Sequence, residues 1–446
     1  MQTKGHKTGN SHRLGAVSRE PCPEVPVPRL LPRPRLRSTA AVFTTLTALA
    51  ATSLITGPSV AEPFSAVSCA LARTDAHHSE GLDTWNAAYP RPTRTLDAVM
   101  VFLSFPDSAP TTTPAELTAD HFPATSRYFT RASYGKFRLR PHSLRHWIRM
   151  PKPSTTYAIQ RDWPASHRAA YLRDALAVAD SQVDFSRYDV VYLVADPDAP
   201  GVDSDATKVI NLDTPLRMDG GDIRRVVTVF ENHPPDRLVL AHETGHVFDL
   251  PDLYHRPVDG KGDWDTHVGD WDLMGSQFGL SPDLFGWHKW KLGWLEPRQV
   301  VCVRGTGPVR LTLESLGAGP ETSARAAAGA QAFGVGRGTK LAVVRTGSDS
   351  VLAVEARGAV GNDHGTCRQG VLVYRVRSGA ESGGGPVQVI DAHPQTEACW
   401  ENSVYPPLAD APVGLGESFT VPGEDVRVEV EGRTVSGAWT VKITSG

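Results

Sequence analysis

The chain has 446 residues, of which 40% are hydrophobic and 21% charged, so it holds enough apolar material for two globular cores and is not a disordered chain. Lys and Arg total 46 against 49 Asp and Glu, and the net charge of -3 gives no reason to expect a nucleic-acid or anionic-membrane partner.

Residues 1–61 read as an export signal. A basic, Pro-rich lead ends in LPRPRLRS, an uncharged run extends from Thr39 to Gly57, and the small residues Ser59 and Ala61 place cleavage after Ala61. A membrane anchor is the alternative, but Thr, Ser and Ala dominate the run and make insertion weak. Residues 62–95 are polar and without period, which suggests a linker or short pro-segment. Cys22 precedes the cut, leaving Cys69, Cys302, Cys367 and Cys399, whose three pairings all suit an exported chain. With three of the four beyond residue 300, we favour Cys367 with Cys399 and Cys69 with Cys302. A rival role for Cys69 is a thiolate that blocks a metal in a latent form, which would leave an odd thiol.

Residues 96–298 read as an α/β domain. LDAVMVFLSF, Leu96 to Phe105, has the length and continuous apolar character of a buried strand. PATSRYFTRASYGKFRLRP follows as helix, turn at Tyr134-Gly135 and strand. SHRAAYLRDALAVADSQ, from Ser166 to Gln182, has helical spacing, with Ser166 placed to cap its start. YDVVYLVA at Tyr188–Ala195 and RRVVTVF at Arg224–Phe230 are two further buried strands. Pro234, Pro235 and Asp236 are helix-start signals ahead of a helix over 235–248.

That helix carries HETGHVFDLPD, residues 242–252. His242 and His246 are four apart and stand on one face, so two imidazoles can meet one ion. Glu243 sits close to such an ion but is angled aside, where it can take a proton from water without ligating. A catalytic zinc needs a third protein ligand and one open position. The chain turns at Asp249 and Leu250-Pro251, which brings Asp252 back as the favoured third ligand, with His255 and Asp249 as alternatives. Tyr254 is a candidate donor to an oxyanion, with packing as its bland role. Met274, in GDWDLMGS, is placed to pack beneath the ligands. Asp263, Asp265, Asp270 and Asp272 form either a calcium site or a solvated acidic loop. Trp287, Trp290 and Trp294 with Leu292 recur at three- and four-residue spacings and read as core between the domains rather than a ligand platform.

After Pro297 the chain turns Gly-, Val- and Thr-rich, with short runs such as KLAVVRTG, VLAVEARG, GVLVYRVR and WTVKIT. Residues 299–446 therefore read as an all-β, sandwich-like domain.

HETGHVFDLPDLYH, GDWDLMGS and DLFGWHKWKLGWLEP together resemble the secreted immune inhibitor A-type zinc metallopeptidases, a branch similar to the metzincins. FTRASYGKFRLR, VDFSRYDVVYLVADP and GVLVYRVR resemble that family's flanking segments, so the likeness spans about residues 96–376. It implies a metzincin-like domain, zinc held by His242, His246 and Asp252, Glu243 as general base, Met274 in a Met-turn, and protein or peptide substrates outside the cell. Two departures stand out. Asp249 replaces a glycine that the backbone there needs for positive φ, and His255 stands where an acidic residue is usual. The competing expectation is an exported, non-catalytic protein with structural zinc whose β domain binds a surface; hydrolysis of a non-peptide amide is a third.

Overall fold

The computed structural model describes residues 69–218, 221–236, 238–257, 260–319 and 338–446. The expected export signal, its cleavage point and Cys22 lie outside the described residues. The described residues, all within the compact unit 61–446, are of mixed α/β structure, with three sheets and few helices.

The first sheet has the order β2 (Arg138–Arg149), β1 (Thr95–Ser104), β3 (Val190–Ala195), β5 (Gly221–Val229), β4 (Lys208–Met218). Its pairs are parallel except β4, an edge strand antiparallel to β5. Strand β1 shows why its sequence is apolar throughout: Ala98, Met100 and Phe102 face one core while Val99, Val101 and Leu103 face another. The second of these cores is closed by helix α3 (Ala165–Ala179), through Tyr171, Leu172, Ala175 and Leu176. Ser166 does not cap that helix, because the helix starts one residue earlier, behind Pro164, and its first turn has no side-chain cap. On the other face lie α1 (Pro114–His121), α2 (Ala124–Ala132) and α4 (Val239–Val247). The turn after α2 falls at Tyr134-Gly135, both at positive φ.

Helix α4 is shorter than the 235–248 expected. Leu238 sits at φ 60 and reverses the chain, so Pro234, Pro235 and Asp236 form a turn outside the helix rather than its first residues.

The C-terminal region contains two sheets, β11 (Val387–Val389), β10 (Gly370–Arg377), β9 (Ser350–Arg357), β8 (Leu341–Arg345), β6 (Val300–Val303), and β12 (Ser418–Thr420), β13 (Val426–Arg433), β14 (Trp439–Ser445), β7 (Val309–Leu313). Ala342, Val344, Leu352, Val354, Val371 and Val373 of the first meet Leu313, Val428, Val430, Trp439 and Val441 of the second in a common core. The opposite face of the first sheet (Leu341, Val343, Val351, Ala353, Leu372 and Tyr374) joins the core that also holds α4, Met274, Trp287 and Trp294. Trp287, Trp294 and Leu292 of helix α5 (Gly286–Lys291) and its exit are fully buried there, with Trp290 packed against them.

Residues 69–94 form no strand or α-helix, yet Cys69, Leu71, His78, Ser79 and Glu80 are buried. Cys69 is bonded to Cys302 and Cys367 to Cys399, the two pairs expected, so Cys69 is not a free thiolate. No helix among the described residues is long and apolar enough to cross a membrane.

Candidate metal centre

Helix α4 packs against β4 and β5, and its side chains divide their tasks by face. Leu240, Ala241 and Val247 enter the core, and Thr244 Oγ1 lies 2.8 Å from the Tyr192 hydroxyl of β3. Gly245 faces Met274, where a Cβ would fall 2.4 Å from its Sδ, so the glycine is what lets the methionine lie against the helix. His242 and His246 occupy the remaining face, one turn apart, with ring centroids at 5.0 Å.

Both imidazoles are oriented by the backbone. His242 Nδ1 donates to Leu273 O at 2.9 Å, and His246 Nδ1 donates to Leu250 O at 2.8 Å. Each Nε2 is thereby aimed at Asp252 Oδ1, and it offers a lone pair to a cation once it holds no proton. Asp252 Oδ1 stands 3.3 Å from His242 Nε2 and 3.0 Å from His246 Nε2. Two ligand atoms on a tetrahedral zinc, each roughly 2.0–2.1 Å from it, are about 3.3 Å apart, so both Asp252–histidine edges match one such ion, and the nitrogen and carboxylate donors suit zinc better than an all-oxygen cation. It is the one group of three metal-ligating side chains found among the described residues.

Asp252 owes its place to a loop from the β-rich half. Its N–H donates to Ser382 Oγ at 2.8 Å, and that hydroxyl donates back to Asp252 Oδ2 at 3.1 Å, which leaves Oδ1 for the histidines. Gly383 N–H then binds Asp252 O at 3.0 Å. Burial works to push the Asp252 carboxyl up, but the two imidazoles outweigh it and hold the carboxyl well below its usual range. Burial likewise works to lower the His246 pKa, yet Asp252 and Glu243 raise it to about 9 in the absence of metal, so a cation entering here displaces a proton.

Glu243 lines the same open cleft of about 980 Å³ as His242, His246 and Asp252. Its Oε2 accepts Val209 N–H of edge strand β4 at 2.8 Å, which leaves Oε1 unengaged by that strand. Burial pushes its carboxyl up, with the imidazoles pulling the other way. Tyr254 also lines the cleft, and its hydroxyl is hydrogen-bonded to the Asp252 carboxylate; burial and that carboxylate raise the phenol far above its ordinary value.

Asp249 and His255, the alternative third ligands, lie elsewhere. His255 packs against His267, centroids 4.9 Å apart, with its N–H on Trp264 O. Asp249 has φ 67, the positive value that this point of the turn requires, and its buried carboxylate faces away from the triad towards the N-terminal segment. Oδ2 pairs with Arg73 at 2.7 Å and Oδ1 accepts from His78 Nδ1 at 3.0 Å. Burial lowers the His78 pKa to about 4, so at neutral pH His78 is an uncharged donor and Arg73 supplies the charge. Lys291 Nζ caps the same turn, donating to Asp249 O at 2.6 Å and Ser79 O at 2.8 Å.

Among the described residues, the four aspartates considered for calcium do not bring three ligand atoms together as the triad does, and two of them are engaged elsewhere. Asp270 accepts Leu280 N–H, Val404 N–H and Ser403 Oγ, and Asp272 accepts Met274 N–H, Phe285 N–H and His288 Nδ1. Their oxygens organise backbone instead: Asp272 shapes the turn in which Met274 O receives Leu253 N–H at 2.8 Å. Ser382, Arg73, His78 and Lys291 escaped the sequence reading. No spacing marks them, because they lie 42 to 176 positions along the chain from the Asp249 or Asp252 that each one contacts.

No family model matches the chain, and no curated protein matches its sequence. Among solved structures it is similar to wild-type OgpA from Akkermansia muciniphila in two crystal forms. The identities are 12% and 10%, over 81% of this chain and 95% and 94% of that one, with TM-scores of 0.25 and 0.24, too low to carry a conclusion.

Proposed function

We propose that this protein is an exported zinc-dependent endopeptidase of the immune inhibitor A-like, metzincin-like kind. The observation that carries the reading is the convergence of His242 Nε2, His246 Nε2 and Asp252 Oδ1 within 4.8 Å of one another, beside a buried glutamate in an open cleft. The expected export signal and the two disulfides support an extracellular setting.

His242, His246 and Asp252 would hold the ion, and the open side of the triangle faces the cleft. When bound, zinc supplies a Lewis acid that polarises a peptide carbonyl and makes water a nucleophile near neutral pH. Glu243 Oε1 takes the proton of the attacking water and delivers it to the leaving amine nitrogen. Val209 N–H keeps Oε2 in place during both transfers. A structural site has no use for such a base, which is why we prefer catalysis to a non-catalytic zinc module. A role for Tyr254 as oxyanion donor requires its hydroxyl to leave Asp252.

The test is purified protein assayed for zinc and for cleavage of an unfolded protein such as casein. The parent should carry about one zinc per chain and cleave. Glu243→Gln should keep the zinc and lose activity by a factor on the order of 10²–10⁴. Cleavage at the parental rate by that variant would overturn the assignment of the base; bound zinc with no cleavage by the parent would favour the binding-module reading.

A further inference from the structure

A second recess of about 250 Å³ adjoins the metal centre, sharing His246, Asp252, Tyr254 and Val209 with the main cleft. Arg256 also lines both, and the walls of the recess alone are His77, His78, Asn211, Ser382 and Gly383. We propose that this recess is a subsite for a carboxylate side chain of the substrate, with the Arg256 guanidinium as its cation; the proposal rests on the peptidase reading above.

Three observations carry it. Arg256 is exposed, lines both cavities, and is in no ion pair among the described residues. Its backbone is nevertheless anchored: its N–H donates to Gly383 O at 3.3 Å, and a Cβ at Gly383 would lie 3.3 Å from Arg256 Cβ. The backbone of the cation is thus tied to the 383 loop while its head remains available. Second, the one carboxylate lining the recess is Asp252, and both its oxygens are committed, Oδ1 to the histidines and Oδ2 to Ser382. Glu381 nearby accepts His77 N–H at 3.1 Å. Neither carboxylate forms an ion pair with Arg256. Third, Asn211 follows Val209 by two positions on edge strand β4, so both face the same way, about 7 Å apart. Its Nδ2 lies 3.4 Å from His77 Nε2 and carries a second N–H. An amide and an imidazole thus line the same recess as Arg256, next to the metal centre. A carboxylate can accept from Arg256 and from Asn211 Nδ2 together, and an apolar side chain would leave these groups unpaired.

The experiment uses the full mature protein and pairs of fluorogenic peptides that differ by Glu against Gln at one position flanking the scissile bond. The parent should prefer the Glu member at one position by about 10- to 100-fold in kcat/KM, the usual strength of a hydrogen bond to a charged group. Arg256→Gln should bring that ratio close to one, and Arg256→Glu should turn the preference towards Lys. Binding of the same peptides to Glu243→Gln protein separates this proposal from the one beneath it. Preference in binding with no cleavage by the parent upholds the recess and overturns the peptidase reading. Cleavage with no Glu preference at any flanking position, or an unchanged ratio in Arg256→Gln, overturns the recess and leaves the peptidase reading standing.

Discussion

Asp249 stands at a point of the turn where the backbone is left-handed, and its side chain repays that conformation with buried contacts. Replacing it by Ala and by Gly separates the two effects. Against burial, which works to raise it, His78, Lys291 and Arg73 hold the Asp249 carboxyl at about 2 instead of 3.8. That difference corresponds to about 2 kcal/mol of stability. Because the folded pKa is depressed, the contribution is complete above pH 4 or so and is lost as pH falls through about 2. Truncation also leaves Arg73 and His78 facing a hole, and breaking a buried ion pair costs about 3–5 kcal/mol. Arg73 keeps 18% of its side chain in water, which favours the lower end of that range. Asp249→Ala should therefore lose about 3 kcal/mol at pH 7. Asp249→Gly should lose about 1 kcal/mol less than Ala, since glycine adopts φ 67 without a Cβ penalty. Urea unfolding of chelator-treated proteins at pH 7 and near pH 2 measures both terms. Equal midpoints for parent and Ala variant at pH 7, or a gap that persists undiminished at the acid end, would refute the reasoning.

Two further outcomes follow from the same network. His288 is fully buried between Glu80 and Asp272; burial opposes its protonation, but the two carboxylates raise its pKa to about 9. A raised histidine stabilises fully below its unfolded value of 6.5 and loses that stabilisation as pH climbs through about 9, here about 3 kcal/mol. Parent protein should lose denaturant resistance across that window and His288→Gln should not; parallel curves would count against the ion triad. Ser382→Ala removes the hydroxyl that holds Asp252 Oδ2, and competition against a chromogenic chelator should find zinc bound about 10-fold more weakly. Unaltered affinity would show that Asp252 needs no such support.

Much of the site was readable in one dimension because its central part is helical. A spacing of four puts His242 and His246 on one face whatever surrounds them, and Glu243 is carried with them. Strand β1 was equally plain, since burial on both faces makes every position apolar. The start of α4 was misread because Pro234 and Pro235 serve a turn as readily as a helix N-terminus, and the left-handed Leu238 that decides between them carries no local signal. The acidic stretch at 263–272 read as either a calcium site or a solvated loop. Composition cannot distinguish carboxylates that bind an ion from carboxylates that receive backbone N–H groups, as Asp270 and Asp272 do.

What the amino-acid order determined alone is the chemistry that depends on neighbours along the chain: two imidazoles and a carboxylate on one helical turn, followed by a turn bearing a second carboxylate. What the tertiary structure decided is which carboxylate meets the imidazoles. Asp249 and Asp252 are three residues apart and equally acidic, and partners that are remote in sequence choose between them. Arg73, His78 and Lys291 draw Asp249 into the core on one side, and Ser382 turns Asp252 towards the histidines on the other. Long-range charge pairing and a single hydroxyl thus assign the roles, because a carboxylate goes where its buried donors are and no periodicity along the chain encodes them.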